Sequence, residues 1–312
     1  MGRERTPRGD GDRGQGRCAL KSVAQYLSLV AFSHSIFALP FALQGAWLAA
    51  GGVPAVADLS WIVLAAVSAR TAAMAFNRLV DRHMDARNPR TQDRELPAGR
   101  LSVGAVRALV VAASALFIVS AWALNPLAGQ LSPVVLAVLL GYSYFKRFSA
   151  LAHFVLGLAL ALAPLGAWIA IRGTLEGDLA PILWLAAAVW TWVAGFDVIY
   201  SCQDVTFDQD HGLHSVPARW GVARALWISR ALHGITVVCL MRFCISAELG
   251  PIYWAFVALA AGLLAYEQWI VRADDLSRVD RAFFTLNGWV GVALFIGLVL
   301  DMGLDWGMGE LA

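Results

Sequence analysis

The feature that most constrains this chain is a series of apolar stretches, each long enough to cross a lipid bilayer. Nine are marked near residues 23–50, 58–80, 103–124, 131–146, 150–171, 180–203, 223–246, 251–271 and 282–303. A crossing helix needs about 20 mostly apolar residues. Hydrocarbon offers no water to a broken backbone, so such stretches form helices. The breaks between them hold turn residues: Gly51–Gly52, Asn125–Pro126, Gly173 and Gly250–Pro251. Charged residues make up only 15% of the chain and hydrophobic residues 59%. A soluble domain carries about 25% charge, so this chain lacks the means to cover a water-facing surface. The expectation is an all-α integral membrane protein of nine transmembrane helices.

Net charge is only +2, which gives no footprint for a nucleic-acid partner. Cys18, Cys202, Cys239 and Cys244 show no metal-ligand spacing and read as buried thiols. Residues 1–20 are rich in Gly and Arg and read as a disordered cytoplasmic tail before one transmembrane domain at 21–312. Orientation follows from Lys and Arg. They crowd the tail and the segments after blocks two, four, six and eight, and are nearly absent from the alternate breaks. The N-terminus and the segments 81–102 and 204–222 are therefore expected on the cytoplasmic side of the cytoplasmic membrane, among its lipids.

Those two segments also hold the polar chemistry. Asn77, Asp81 and Asp85 recur at a spacing of four at the end of block two, on one helical face. Tyr200, Asp204 and Asp208 repeat the spacing at the end of block six. Four spans separate the motifs, so both meet the same membrane face. This suggests two parallel pseudo-repeats, an arrangement some transporters share. Two carboxylates one turn apart repel. One resolution is solvation, with Arg82 and Arg87 as partners. The other is Mg²⁺, which takes oxygen ligands and is commonly shared between carboxylates and a substrate phosphate. Two facing acidic ends then clamp a diphosphate through two ions.

Asp197 lies within its apolar block, where an ionisable group is a functional hypothesis. Arg70 lies two turns deeper than Asn77 on the same face and needs an anion. Asp197 is one candidate, and an aromatic carboxylate held as a bidentate pair is the other. Arg90, Arg94, Lys146 and Arg147 gather near the aspartates and are candidates to stabilise a departing diphosphate. Positive-inside topology would also place them there. His34, Glu267 and Asn287 read as hydrogen-bonding groups between helices.

On these residues the chain resembles the UbiA superfamily of intramembrane aromatic prenyltransferases. The resemblance rests on Asn77-x3-Asp81-x3-Asp85, on Tyr200-x3-Asp204-x3-Asp208, and on HSIFALPFAL, NPRTQDRELPAG, YSYFKR and FDVIYSCQDVTFD. It implies a nine-helix bundle around a central cavity. It also implies Mg²⁺ and diphosphate on Asp81, Asp85, Asp204 and Asp208, with Asn77 assisting and Arg94 and Lys146 on the phosphates. The implied substrates are a polyprenyl diphosphate and an aromatic acid, as in ubiquinone or menaquinone synthesis, with Arg70, Asp197 and Tyr200 toward the acceptor. Arg78 stands where the family usually has Asp. With NPRT it resembles the branch that prenylates a dihydroxynaphthoate, which puts 4-hydroxybenzoate in question as the acceptor. The competing reading from the residues alone is an ion-coupled transporter using the Asp pairs as cation sites.

Overall fold

A computed structural model describes residues 37–309 together with Gln25, Tyr26 and Leu29, with side chains as far as Gly303. The tail read at residues 1–20, with Cys18, and His34 in the first apolar block lie outside the described residues. The chain is all-helical. Its principal helices are α1 (Leu39–Ala50), α2 (Val56–Asp85), α3 (Val103–Leu124), α4 (Pro126–Phe145), α5 (Ala152–Arg172), α6 (Ala180–Ser201), α7 (Val222–Ser246), α8 (Pro251–Ile270) and α9 (Asn287–Gly309). Short helical turns at Val205–Asp210 and Val216–Trp220 link α6 to α7, and a π-helical turn, Arg281–Leu286, leads into α9.

Among the described residues, seven helical stretches are long and apolar enough to cross a membrane. α1 and α8 are the two principal helices outside that set. α1 has 12 residues, the described end of a block that reads from residue 23. α8 has the length of a span, but Glu267 and Gln268 near its end lower its mean hydropathy. The remaining boundaries depart from the sequence reading at polar ends. α2 runs on through Asp85, so the whole first motif is helical. α4 begins at Pro126, because Asn125 caps it, accepting from the Ala128 amide at 2.8 Å.

The segments after α2, α4, α6 and α8 meet at one end of the bundle. The Lys146 carbonyl accepts from the His214 amide at 2.8 Å, and Gln203 Nε2 donates to Asp280 at 3.2 Å. The opposite end is closed by two side chains. Asn125 Nδ2 donates to the carbonyls of Ile169 and Ala170 at 3.0 and 2.8 Å. Asp301, buried, accepts from the amides of Gly250 and Tyr253 at 2.6 and 3.1 Å. Its carboxylate thus caps α8 from a distant helix, where the helix dipole favours negative charge.

α6 is the central helix. Its most apolar window is 67% buried, against 17% for α4. Trp192 of α6 is fully buried, and its indole donates to Asn287 Oδ1 at 2.7 Å. Asn287 in turn donates to Glu267 at 2.9 Å, so both polar residues hydrogen-bond between helices as expected. Lipid gives helices no hydrophobic reason to associate, so close approach matters. A Cβ at Gly45 of α1 would overlap the backbone carbonyl of Pro164 in α5, whereas one at Gly262 of α8 would meet nothing within 4 Å.

Gly45→Ala should therefore destabilise the bundle by about 1–3 kcal/mol, the usual range for overpacking, and Gly262→Ala should not. Thermal melting of both variants in detergent checks this. Equal melting temperatures would contradict the α1–α5 contact.

Candidate active site

Asp81 and Asp85 sit at the C-terminal end of α2, where the helix dipole adds negative charge, whereas Asp204 and Asp208 lie just beyond α6, in the 3₁₀ turn Cys202–Asp204 and the short helix Val205–Asp210, which break the continuous helix that a spacing of four suggested. Each is matched with a different cation. Arg147 Nη2 lies 3.3 Å from Asp81 and also donates to the Val80 carbonyl at 2.8 Å. Arg94 pairs with the buried Asp85 at 2.7 Å. Arg90 forms a fork with Asp204, through Nη2 and through Nε at 3.0 Å. Lys146 meets the fully buried Asp208 at 2.7 Å. Arg82, one of the two partners expected for the first motif, instead donates to the Leu79 carbonyl at 2.7 Å. Neighbouring residues on a helix lie on different faces, and Arg82 is turned away from Asp81 toward its own backbone.

Two connecting segments therefore cross-link the motifs, each giving one cation to either side. Residues 88–94 send Arg94 to the first motif and Arg90 to the second. The end of α4 sends Arg147 to the first and Lys146 to the second. The NPRT run supplies further ties. Asn88 Nδ2 donates to Asp204 at 3.0 Å, and Thr91 Oγ1 to the Asp85 carbonyl at 3.1 Å. Burial alone would weaken the charge on Arg90, but the hydrogen bonds and charge of Asp204 and Tyr200 outweigh it and raise its pKa above the usual value. Asn77 Nδ2 donates to Asp81 at 3.1 Å.

Some carboxylate capacity remains unused. Oδ2 of Asp85 and both oxygens of Asp208 are buried and accept no hydrogen bond of proper geometry. The Lys146–Asp208 contact is thus an ion pair without an aligned hydrogen bond. Unused, oxygen-only donors on two facing helix ends fit Mg²⁺. Among the described residues no three His, Cys, Asp or Glu side chains converge on one point. An ion there would need water or phosphate to complete its shell, as Mg²⁺ commonly does.

Behind this charged end lies a cavity of about 370 Å³ between α1, α2, α3, α4 and α5. Its wall is almost wholly aliphatic, with Arg70, Ser132 and Tyr142 as the polar exceptions, and it runs to Leu124 and Ala170 at the opposite end. Arg70, Asn77, Asp81 and Asp85 share one helical face, within about 80° at 3.6 residues per turn. Tyr142 lies within electrostatic reach of Arg70, Arg78, Asp81 and Asp197. Arg78 faces Asp85, Arg94, Glu95 and Tyr142, and its buried Nε makes no hydrogen bond.

Asp197 is paired with His153 rather than with Arg70. The contact is 2.7 Å, from Nδ1 to Oδ2. Tyr200 does not reach Arg70's level. Its hydroxyl accepts from Arg90 at 2.7 Å and its ring stacks on Phe283 at 4.2 Å. His153 and Asn88 are the two site residues that the sequence reading did not single out. NPRT was legible as a motif, and Asn88 is its first residue. His153 stands at the start of an apolar helix with no motif around it.

A family model described as UbiA prenyltransferase family matches residues 38–289. The 4-hydroxybenzoate octaprenyltransferase of Alkalilimnicola ehrlichii is 31% identical over 265 residues, covering 84% of this chain and 88% of the relative. That of Pseudomonas aeruginosa is 32% identical over 262 residues, covering 84% and 87%. Among solved structures, the apo form of a UbiA homolog from Aeropyrum pernix K1 is 38% identical, with a TM-score of 0.78 over 86% of this chain and 98% of the other. A UbiA homolog from Archaeoglobus fulgidus, solved with DMAPP and Mg²⁺, shares the fold at 21% identity and a TM-score of 0.71, over 90% of this chain and 99% of the other.

The Lys146–Asp208 pair can be checked by a double-mutant cycle. Lys146→Met should lower the melting temperature by leaving Asp208 buried and unpaired. Adding Asp208→Asn should restore part of the loss, with a coupling of about 0.5–3 kcal/mol. Strict additivity would contradict the pairing.

Proposed function

The chain belongs to the UbiA prenyltransferase family, and on that premise we propose that it transfers a polyprenyl group from polyprenyl diphosphate to an aromatic acid in quinone synthesis. The observation that carries this reading is the gathering of four neutralised aspartates at one end of the bundle, the end toward which α2 and α4 run on from the apolar cavity they line through Arg70 and Tyr142. Diphosphate belongs at the charged end and an isoprenoid tail in the aliphatic one. Asp81, Asp85, Asp204 and Asp208, with Asn77, would hold Mg²⁺, which when bound neutralises diphosphate charge and eases departure of pyrophosphate.

The residues themselves do the rest. Arg90, Arg94, Lys146 and Arg147 turn from the aspartates to the phosphate oxygens and stabilise the charge that develops as the prenyl C1–O bond breaks. Lys146 is the residue assigned to the departing oxygen. The aliphatic wall excludes water from the allylic cation. Arg70 pairs with the acceptor carboxylate at the inner level, and the ring attacks C1 through carbon. Tyr200 acts indirectly, by holding Arg90. Arg78 in place of the usual Asp, together with NPRT, favours a dihydroxynaphthoate acceptor, while the identified relatives act on 4-hydroxybenzoate.

The nine apolar blocks of the sequence make nine spans in this reading, with two parallel halves ending in the two motifs. The motif end then faces the cytoplasm, as Lys and Arg dictate. The transporter alternative is disfavoured because the aspartates lie at helix ends, whereas transport sites usually lie near the midplane.

Purified chain in lipid, given polyprenyl diphosphate, Mg²⁺ and either acid, should yield a prenylated acid identified by mass. Asp81→Asn and Asp204→Asn should each lower turnover by about 10² or more. Arg70→Lys, which loses the planar fork, should raise KM for the acid and leave that for the donor. No product with either acid, or full activity in excess chelator, would contradict the proposal.

A further inference from the structure

We infer that Asp197 is the base that takes the ring proton, and that His153 is the residue that positions it. The inference rests on the prenyl-transfer reading above. Asp197 lies seven residues before Asp204, two helical turns and about 10 Å deeper. It is therefore removed from the diphosphate end, and it stands about one turn nearer that end than Arg70, which precedes Asp81 by eleven, so it lies at the depth of a ring whose carboxylate Arg70 holds. Tyr142, on the cavity wall beside Arg70, is within electrostatic reach of Asp197.

The hydrogen bonds around His153 fix its proton. The Val216 amide donates to Nε2 at 3.2 Å, so Nε2 is an acceptor and the proton resides on Nδ1. Nδ1 then donates to Asp197 Oδ2 at 2.7 Å. His153 is buried, so its ring is held from both sides. One carboxylate oxygen is anchored in this way. The other accepts no hydrogen bond among the described residues, and the side chain is 21% exposed. A donor on one oxygen orients the carboxylate and leaves the other oxygen open to accept a proton.

The step balances. Ring carbon bonds to prenyl C1 as the C1–O bond yields pyrophosphate. The cationic ring then loses its proton to Asp197 Oδ1, and the C–H electron pair restores aromaticity. Asp197 returns the proton to solvent before the next turnover.

The test uses an acceptor deuterated at the reacting carbon. With the base intact, breaking the C1–O bond is slow and the isotope effect is near one. His153→Leu should lower kcat about tenfold or more, leave donor KM unchanged, and raise the isotope effect well above one because proton loss has become slow. His153→Asn, whose amide nitrogen takes the place of Nδ1, should recover most of the turnover. Loss of turnover in His153→Leu without an isotope effect, or no recovery in His153→Asn, would overturn the inference. If His153→Leu does not fold, Asp197→Asn decides: an isotope effect supports the assignment and its absence refutes it. Absence of product from the unaltered chain would remove the prenyl-transfer reading itself, and this inference with it.

Discussion

Negative charge at and just beyond the C-terminal ends of two membrane helices is the constraint on which this structure turns. The helix dipole makes those ends the worst place for a carboxylate, and partial burial makes an unpaired one costlier still. Four aspartates are nevertheless gathered there. Each draws in one Arg or Lys, and the donors come from just two connecting segments. The result ties α2 to α6 through Arg90, Arg94, Lys146 and Arg147. Removing the carboxylates would leave those four cations with no reason to converge. The same pairs keep this end of the bundle close to neutral.

The apolar half follows from a second constraint. α6 is packed on most of its surface, while α3 and α4 are exposed over most of theirs. Space therefore opens on the α2–α5 side rather than around α6. Ala, Leu, Ile and Val make up most of its lining, so its walls present an aliphatic surface. The few polar groups on its wall are Arg70, Ser132 and Tyr142.

Much of this was legible from the residues alone. Block length exposed the helices, and a spacing of four placed Asp81 and Asp85 on one face of α2, while the turn at Cys202–Asp204 that separates Asp204 and Asp208 from α6 left no mark in the spacing. Basic residues were legible as a cluster, but not their assignment. Arg82 is next to Asp81 in sequence yet bonds to its own helix, while Arg147 reaches Asp81 from another one. His153 was invisible for a similar reason: its partners, Asp197 and the Val216 amide, are distant in sequence. Asp301 is a buried cap for α8, and nothing in its own stretch of sequence marks it as one. Contacts between distant helices depend on packing, and local pattern carries no trace of them. The span count is less legible still, because α8 carries buried polar groups whose cost is met by Asn287, Ser229 and His233.

The central claim is that both helix ends act as one site for metal and diphosphate. Equilibrium binding of Mn²⁺, a paramagnetic substitute for Mg²⁺, to the purified chain with and without inorganic pyrophosphate tests it directly. The account predicts that pyrophosphate tightens Mn²⁺ binding, and that Asp85→Asn and Asp208→Asn each weaken the combined binding by about tenfold or more, the scale of one lost ligand charge at 1.4 kcal/mol. Binding that needs only one of the two motifs, or that ignores pyrophosphate, would contradict it.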